Sequence, residues 1–189
     1  MTADPVVDHL RFTVEQFERM GEVGVLDPEV RYELLDGEIV VMSPIGPKHA
    51  GVVNRSARRF FDRFDGLATV MVQNPIRLLP SSEPQPDLVV ARERHDFYES
   101  AHPTAEDTLL VVEVADSSLR SDRLVKVPIY ARQGVPELWI VDIAARVVHI
   151  HTEPTANGYR TVRSARGDEV IAPQSVAGVT FTPNDLLGD

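Results

Sequence analysis

One apolar run limits the folds open to this chain more than any other feature. Residues 109–115 read LLVVEVA, and apolar side chains at nearly every position are typical of a central strand buried on both faces. Because side chains alternate along a strand, Glu113 shares one face with Val111 and Ala115. A charge in such a strand is costly unless it is paired or binds a metal ion. The run therefore predicts a buried sheet that carries one functional or paired carboxylate.

The rest of the chain reads as helices and strands around that sheet. The pattern predicts a helix from a capping box at Thr13 to about Met20, a hairpin turning at Asp36-Gly37, and a helix from Pro47 to Gly66. It further predicts strands at 67–72, 75–79, 87–91, 109–115, 138–142, 146–152 and about 158–163, with a helix over roughly 119–133. This order predicts an α/β (α+β) fold with a mixed central sheet flanked by helices. We expect a single domain over residues 1–189, with 1–11 as a loose N-terminal arm.

Composition excludes several kinds of site. The chain has no cysteine, which excludes disulfides, zinc-thiolate sites and a cysteine nucleophile, so any metal must bind oxygen or imidazole. Lysine and arginine total 19 against 29 aspartates and glutamates, a net charge of −10, which argues against broad electrostatic capture of nucleic acid. No apolar run approaches the ~20 residues of a membrane helix, and no secretory signal is visible. We expect a cytoplasmic protein with no membrane partner.

A second acidic residue lies where carboxylates are uncommon. Asp87 begins an apolar strand directly after Pro86. If the Asp87 and Glu113 strands are neighbours, both carboxylates can converge on one point, where a divalent cation would relieve their repulsion. Oxygen ligands favour Mg²⁺ or Mn²⁺ over zinc. The alternative is that an arginine or a backbone cap satisfies each acid separately.

Two further charged residues are weaker candidates on pattern alone. Glu33 lies in the first hairpin strand and either faces inward or has a structural role. Lys126 shares a helix face with Asp122 and Tyr130, so it either forms a solvated pair with Asp122 or reaches back to the carboxylates. Pro128 in the same segment predicts a kink, or a helix that begins later.

Basic residues near the second helix suggest contacts to phosphate. His49 follows Lys48 in the first helical turn, which suits either a phosphate contact or a local hydrogen bond. Arginines on the same helix form either a solvated face or a basic stripe. They are Arg55, Arg58, Arg59 and Arg63. The chain has no Walker loop, GxGxxG, GxSxG or HExxH pattern.

Three blocks of sequence together resemble a known family. The runs RYELLDGEIVVMSPIGPKH, PDLVV and LLVVEVADSSLRSDRLVKVPIYARQGVPELWIVD resemble the Uma2 family, a branch of the PD-(D/E)XK nuclease superfamily. The resemblance covers about residues 12 to 150. It implies a restriction-endonuclease-like sheet and hydrolysis of DNA phosphodiesters with Mg²⁺ (or Mn²⁺). It also implies a homodimer.

The resemblance assigns roles to individual residues. It implies that Asp87, Glu113 and the carbonyl of Val114 hold the metal ion, with Glu33 as an outer or second-metal ligand. The family's lysine falls at position 115, where this chain has Ala115, and the resemblance implies that Lys126 takes its place. His49 and Gln85 match positions that are polar in the family. Together with Arg55 and Arg59, they are candidate substrate contacts.

Three functions remain open from the sequence. The first is a Mg²⁺-dependent endonuclease with Glu33, Asp87, Glu113 and Lys126 as catalytic residues. The second is a catalytically inactive module on the same fold, homodimeric or partner-binding, and it is favoured by Ala115 and the negative net charge. The third is a metal-independent hydrolase of sugars or nucleotides that uses the carboxylates as an acid–base pair.

Overall fold

A computed structural model of the chain describes residues 9–116 and 122–188. Its α-helices are α1 (Val14–Glu22), α2 (Pro47–Phe64), α3 (Val127–Arg132) and α4 (Pro183–Leu187). Its strands are β1 (Tyr32–Leu35), β2 (Glu38–Val41), β3 (Thr69–Val72), β4 (Leu88–Ala91), β5 (Thr108–Ala115), β6 (Glu137–Asp142), β7 (Val147–Thr155) and β8 (Gly158–Arg166). A π-helical turn at Asp122–Lys126 precedes α3. Within these described ranges, no helix is both long and apolar enough to cross a membrane.

The sheet is mixed and places the apolar run at its centre. Strands β3 to β8 follow one another in sequence order across six strands, while β1 and β2 form a separate hairpin. Strands β5 and β6 run parallel, and the other neighbouring pairs run antiparallel. All residues of β5 except Leu109 are buried. The predicted mixed sheet flanked by helices is confirmed.

Each face of the sheet carries its own apolar core. On one face α2 and the C-terminal segment pack against β6, where the ring centroids of Phe60 and Phe181 lie 4.6 Å apart and Trp139 meets both rings edge-on. On the other face Tyr130 and Ile129 of α3 pack with apolar residues of β5 and β6. Glu113 points to this second face, because it alternates with Val112 and Val114 of the first core.

The hairpin β1–β2 has two different faces. Asp36 (φ 50°) and Gly37 (φ 80°) form its turn, as the Asp-Gly pair predicts, because both central residues of a type I′ turn need positive φ. Leu34 packs with Val14 and Phe17 of α1. Glu33 alternates with Leu34 and therefore points to the opposite face. Arg11 pairs with Glu38 at 2.9 Å, whereas residues 1–8 of the predicted arm lie outside the described residues.

The prediction of a strand over residues 75–79 is wrong. Ile76 and Leu78 are buried, and Arg77 between them completes the apolar–polar alternation that is typical of a strand. However, Leu78 exchanges both of its backbone hydrogen bonds with Ser82 across a tight turn at Pro80, and Arg77 makes only a single bridge to Thr104. The segment therefore packs two side chains into the core without joining the sheet.

The helix predicted over 119–133 begins later than its sequence pattern suggests. Residues 117–121 lie outside the described part of the chain, and regular α-helix starts at Val127. Pro128 stands in the first turn of α3, where its missing N–H needs no helical acceptor. This confirms the expectation of a later start, and the π-helical turn before it carries Lys126.

The buried side chain of Glu83 gives a testable prediction of how the stability of the fold depends on pH. Burial and the neighbouring Glu18 raise the pKa of Glu83 from 4.5 to about 7, although Arg77 opposes the shift. The stability that protonated Glu83 contributes is present below pH 4.5 and is lost as the pH rises through 7. We expect Glu83→Gln to raise the free energy of unfolding at pH 8 by on the order of 2 kcal/mol, with the difference fading near pH 4.5. Urea unfolding at several pH values measures this, with the exposed Glu99→Gln as control. A pH-independent effect would contradict the assignment.

Candidate functional site

The register of the sheet brings Asp87 and Glu113 together. Leu88 pairs with Val112 in the antiparallel ladder of β4 and β5, so one further step places Asp87 opposite Glu113 on the same face. Oδ2 of Asp87 accepts the backbone N–H of Val114 at 2.8 Å. The carboxylate therefore replaces the next backbone acceptor at the point where the ladder ends. The strands of the two acids are neighbours, as the hypothesis of a shared site requires.

The candidate residues converge on one pocket of about 610 Å³. Its walls come from the hairpin, the start of α2, the ends of β4 and β5, and the π-helical turn. The carboxylate residues lie deep in it, with Glu33 and Glu113 4% exposed and Asp87 7% exposed. The predicted residues that line the pocket are Glu33, His49, Gln85, Asp87, Glu113, Val114 and Lys126.

Lys126 connects two of the acids. Its Nζ lies 2.8 Å from Oε1 of Glu33 and 3.2 Å from Oε1 of Glu113. Its side chain is 12% exposed, so it is not a solvated surface lysine. Two buried carboxylates repel strongly at low dielectric, and a shared ammonium offsets that repulsion. The side chain of Asp122, the alternative partner, lies outside the described structure.

Tyr130 also contacts Glu113. Its hydroxyl donates to Oε1 of Glu113 at 2.6 Å, and the residue is fully buried. The sequence pattern placed Tyr130 on the same helix face as Lys126 without giving it a role. Because the ammonium and the hydroxyl both bind Oε1, the orientation of the Glu113 carboxylate is fixed from two sides. Spacing in the sequence was the signal that could have identified Tyr130.

Asp87 has side-chain partners of its own. Nε2 of His49 lies 3.1 Å from Oδ2, and Nε2 of Gln73 donates to Oδ1 at 3.3 Å. The hydrogen bond to Asp87 raises the pKa of His49, and the charge of Asp87 adds to the effect while burial opposes it. Gln73 has φ 55°. No sequence signal pointed to Gln73, because an isolated left-handed glutamine after a strand has no recognisable pattern.

Gln85 links the hairpin to the sheet. Its backbone N–H donates to Oε1 of Glu33 at 2.7 Å, and its side-chain amide donates to the carbonyl of Tyr32 at 3.2 Å. Arg31 in turn donates to the amide oxygen of Gln85 at 3.2 Å. Gln85 therefore holds Glu33 in the pocket through its backbone, two residues before Asp87.

The arginines of α2 lie elsewhere. Arg55 donates to the carbonyl of Leu186 at 3.3 Å, and Nε of Arg59 lies 4.0 Å from Oδ1 of Asp185. Arg63 binds the same aspartate at 2.9 Å. Neither Arg55 nor Arg59 lines the pocket. These cations pack the C-terminal segment onto α2, so the structure does not bring them to the carboxylates.

The donor atoms suit a hard divalent cation. In the described residues, no three acidic or imidazole side chains converge closely enough to hold a metal ion. Glu33, Asp87 and Glu113 therefore do not form such a group by themselves, and the predicted set also includes the carbonyl of Val114. That carbonyl faces the same side of β5 as the N–H that binds Asp87. An all-oxygen set of this kind fits Mg²⁺ or Mn²⁺.

The Lys126 bridge gives a stability prediction. We expect Lys126→Met to lower the free energy of unfolding by about 3 kcal/mol, because it leaves two buried carboxylates without the shared ammonium. Combining it with Glu33→Gln should recover part of that loss, since one of the repelling charges is removed. Chemical denaturation measures both variants, with the exposed Lys48→Met as the matched control. Equal stability of Lys126→Met and Lys48→Met would show that the bridge is not formed.

Comparison with known proteins identifies relatives of the chain. The sequence profile described as "Uma2: Putative restriction endonuclease" matches residues 14–184. A solved protein of Anabaena variabilis, described as "a putative nuclease belonging to DUF820", superposes with a TM-score of 0.71. The two are 14% identical, over 93% of this chain and 97% of the other, so the likeness shows a shared fold. None of the curated proteins compared matches the chain.

Proposed function

The chain belongs to the Uma2 family, and from this membership we propose that it is a metal-dependent endonuclease that hydrolyses DNA phosphodiester bonds. The observation that carries the proposal is the Lys126 bridge between Glu33 and Glu113, in the pocket that Asp87 also lines. Carboxylates that can hold a metal ion, with an ammonium beside them, are groups that can serve metal-assisted phosphodiester hydrolysis. DNA as the substrate follows from the family description.

The metal ligands proposed are Asp87, Glu113 and the carbonyl of Val114, with Glu33 as an outer ligand. A bound Mg²⁺ or Mn²⁺ supplies a water of lowered pKa and offsets charge on the phosphate. The chain itself holds the ligands in place. His49 and Gln73 bind Asp87, while Tyr130 binds Glu113. Such supporting hydrogen bonds fix the orientation of ligating carboxylates.

Lys126 is proposed to replace the lysine that the family pattern places at position 115. Ala115 is fully buried in the apolar core beside Glu113. The ammonium reaches the carboxylates from the following helical segment instead. From there it can hold the attacking water and donate to the phosphate oxygen that gains charge.

A nuclease-fold module without cleavage is the second candidate. The carboxylates already have partners within the chain, the ammonium of Lys126 and the imidazole of His49, as expected of a site that needs no metal. Calorimetric titration with Mn²⁺ separates the two functions, because binding abolished by Asp87→Asn supports the nuclease.

Homodimer formation and a cytoplasmic location stay predictions. Light scattering of the purified protein tests whether it forms a homodimer.

The ligand assignment predicts loss of cleavage. We expect the purified protein to nick supercoiled plasmid with Mg²⁺ or Mn²⁺, and Asp87→Asn and Glu113→Gln each to slow nicking by at least about 100-fold. Gel densitometry over time measures the rates. Asp62→Asn, an exposed change of the same kind on α2, should leave the rate unchanged. If Asp87→Asn cuts as fast as the wild type, the activity belongs to a contaminant.

Removing the contact between Tyr130 and Glu113 is predicted to weaken binding of the metal ion. We expect Tyr130→Phe to raise the Mg²⁺ concentration for half-maximal nicking about tenfold, because Glu113 loses a partner that orients it. The rate at saturating Mg²⁺ should change much less. Titration of nicking rate against Mg²⁺ separates the two quantities. An unchanged midpoint with a lower maximal rate would contradict the positioning role.

A further inference from the structure

One face of the β1–β2 hairpin forms a wall of the pocket. Glu33 pairs with Val40, and Leu35 with Glu38, so each pair points to the same side of the hairpin. The register continues to Arg31 and Met42, joined by a backbone hydrogen bond of 2.9 Å. All six residues of this face line the pocket: Arg31, Glu33, Leu35, Glu38, Val40 and Met42. The wall thus places a buried acid and aliphatic side chains on one surface.

The pocket has open apolar surface beside its carboxylates. Val40 is 38% exposed, Ile45 41% and Val125 43%, and all three line the pocket. They come from the hairpin, the segment before α2 and the π-helical turn, so they reach the opening from different elements. A hydrolytic metal site needs no aliphatic surface for its own chemistry. Apolar surface grouped at a concave site is typical of a ligand contact.

We propose that this aliphatic surface receives an unpaired nucleobase, and that the site therefore acts on single-stranded DNA or on unpaired segments of a duplex. The inference rests on the proposed nuclease function and names its substrate class. In a double helix the faces of the bases are stacked on each other, and the outer surface is sugar and charged phosphate. An unpaired base exposes an apolar face. Only the unpaired strand can place phosphate at the carboxylates and a base face against Val40.

The size of the pocket supports the same substrate, whereas its charge does not distinguish the two forms of DNA. Duplex and single-stranded DNA both bind through lysines and arginines that contact phosphates. Two of the three basic lining residues, Lys126 and His49, contact carboxylates. The volume of about 610 Å³ lies within the range of about 300–1,000 Å³ that encloses one small-molecule-sized group. Five of the described lining residues are acidic and three are basic, so affinity for either form of DNA depends on contacts other than charge.

The test compares one DNA strand alone with the same strand annealed to its complement. Cleavage is followed in Mg²⁺, and binding is followed by fluorescence anisotropy with Ca²⁺ in its place. We expect the single strand to be bound and cut at least about tenfold better. Single abasic sites are then placed along the strand. One of them should weaken binding roughly tenfold, the factor expected from uncovering about 50 Å² of apolar surface.

Two valine variants test whether Val40 is the side chain that contacts the unpaired base. Val40→Ser should bind the intact strand roughly tenfold more weakly than the wild type and should no longer respond to the abasic site. Val170→Ser removes an exposed valine outside the pocket and should behave as the wild type. Equal or better cutting of the duplex, still dependent on Asp87, would overturn this inference and leave the nuclease function intact.

The remaining outcomes also decide between the proposals. Selective binding of the single strand that Val40→Ser abolishes, without cleavage of any DNA, would support this inference and overturn the nuclease function. An unchanged abasic response in Val40→Ser, together with a lower molar mass by light scattering, would assign the aliphatic surface to a second copy of the chain. That result would overturn the inference.

Discussion

Repulsion between carboxylates buried in one pocket is the constraint on which the rest of this structure depends. Glu33 and Glu113 approach the same ammonium, and Asp87 lies opposite Glu113 where the β4–β5 ladder ends. Each acid is only a few per cent exposed, so water screens the charges poorly. Among the described residues, the side chains of Lys126, Tyr130 and Gln73 donate hydrogen bonds to these acids, and His49 shares one with Asp87. Several elements of the fold meet at this pocket to supply those donors.

The sequence predicts the acids better than it predicts their partners. Glu113 and Asp87 are visible because a charge interrupts or begins an apolar strand, and the alternation of side chains then fixes the shared face. For Lys126 the pattern leaves two alternatives, a solvated pair or a contact with the carboxylates, because its reach depends on a π-helical turn that no propensity encodes. Gln73 was missed for the same kind of reason, as its left-handed backbone is set by its tertiary surroundings. Residues 75–79 were predicted as a strand and are not one. An alternation of apolar and polar residues therefore indicates which side chains are buried, but it does not show that the segment pairs with another strand.

The positions of the basic residues help to interpret the net charge of −10. Arg55, Arg59 and Arg63 contact the C-terminal segment, where two of them approach Asp185. Their apparent stripe on α2 is therefore part of the packing of the fold. These three arginines therefore do not offset the negative charge of the pocket, which none of them lines.

The two-faced hairpin has a consequence for how this chain can change over evolution. Its Asp36–Gly37 turn fixes which residues pair, and the side-chain period of a strand is two. Inserting or deleting one residue in β1 would exchange the positions of Glu33 and Leu34, placing an acid against α1 and a leucine beside Glu113. Substitutions on either face can accumulate one at a time, whereas the length of the hairpin cannot drift. Relatives that keep the pocket are therefore expected to vary in sequence here far more than in residue count.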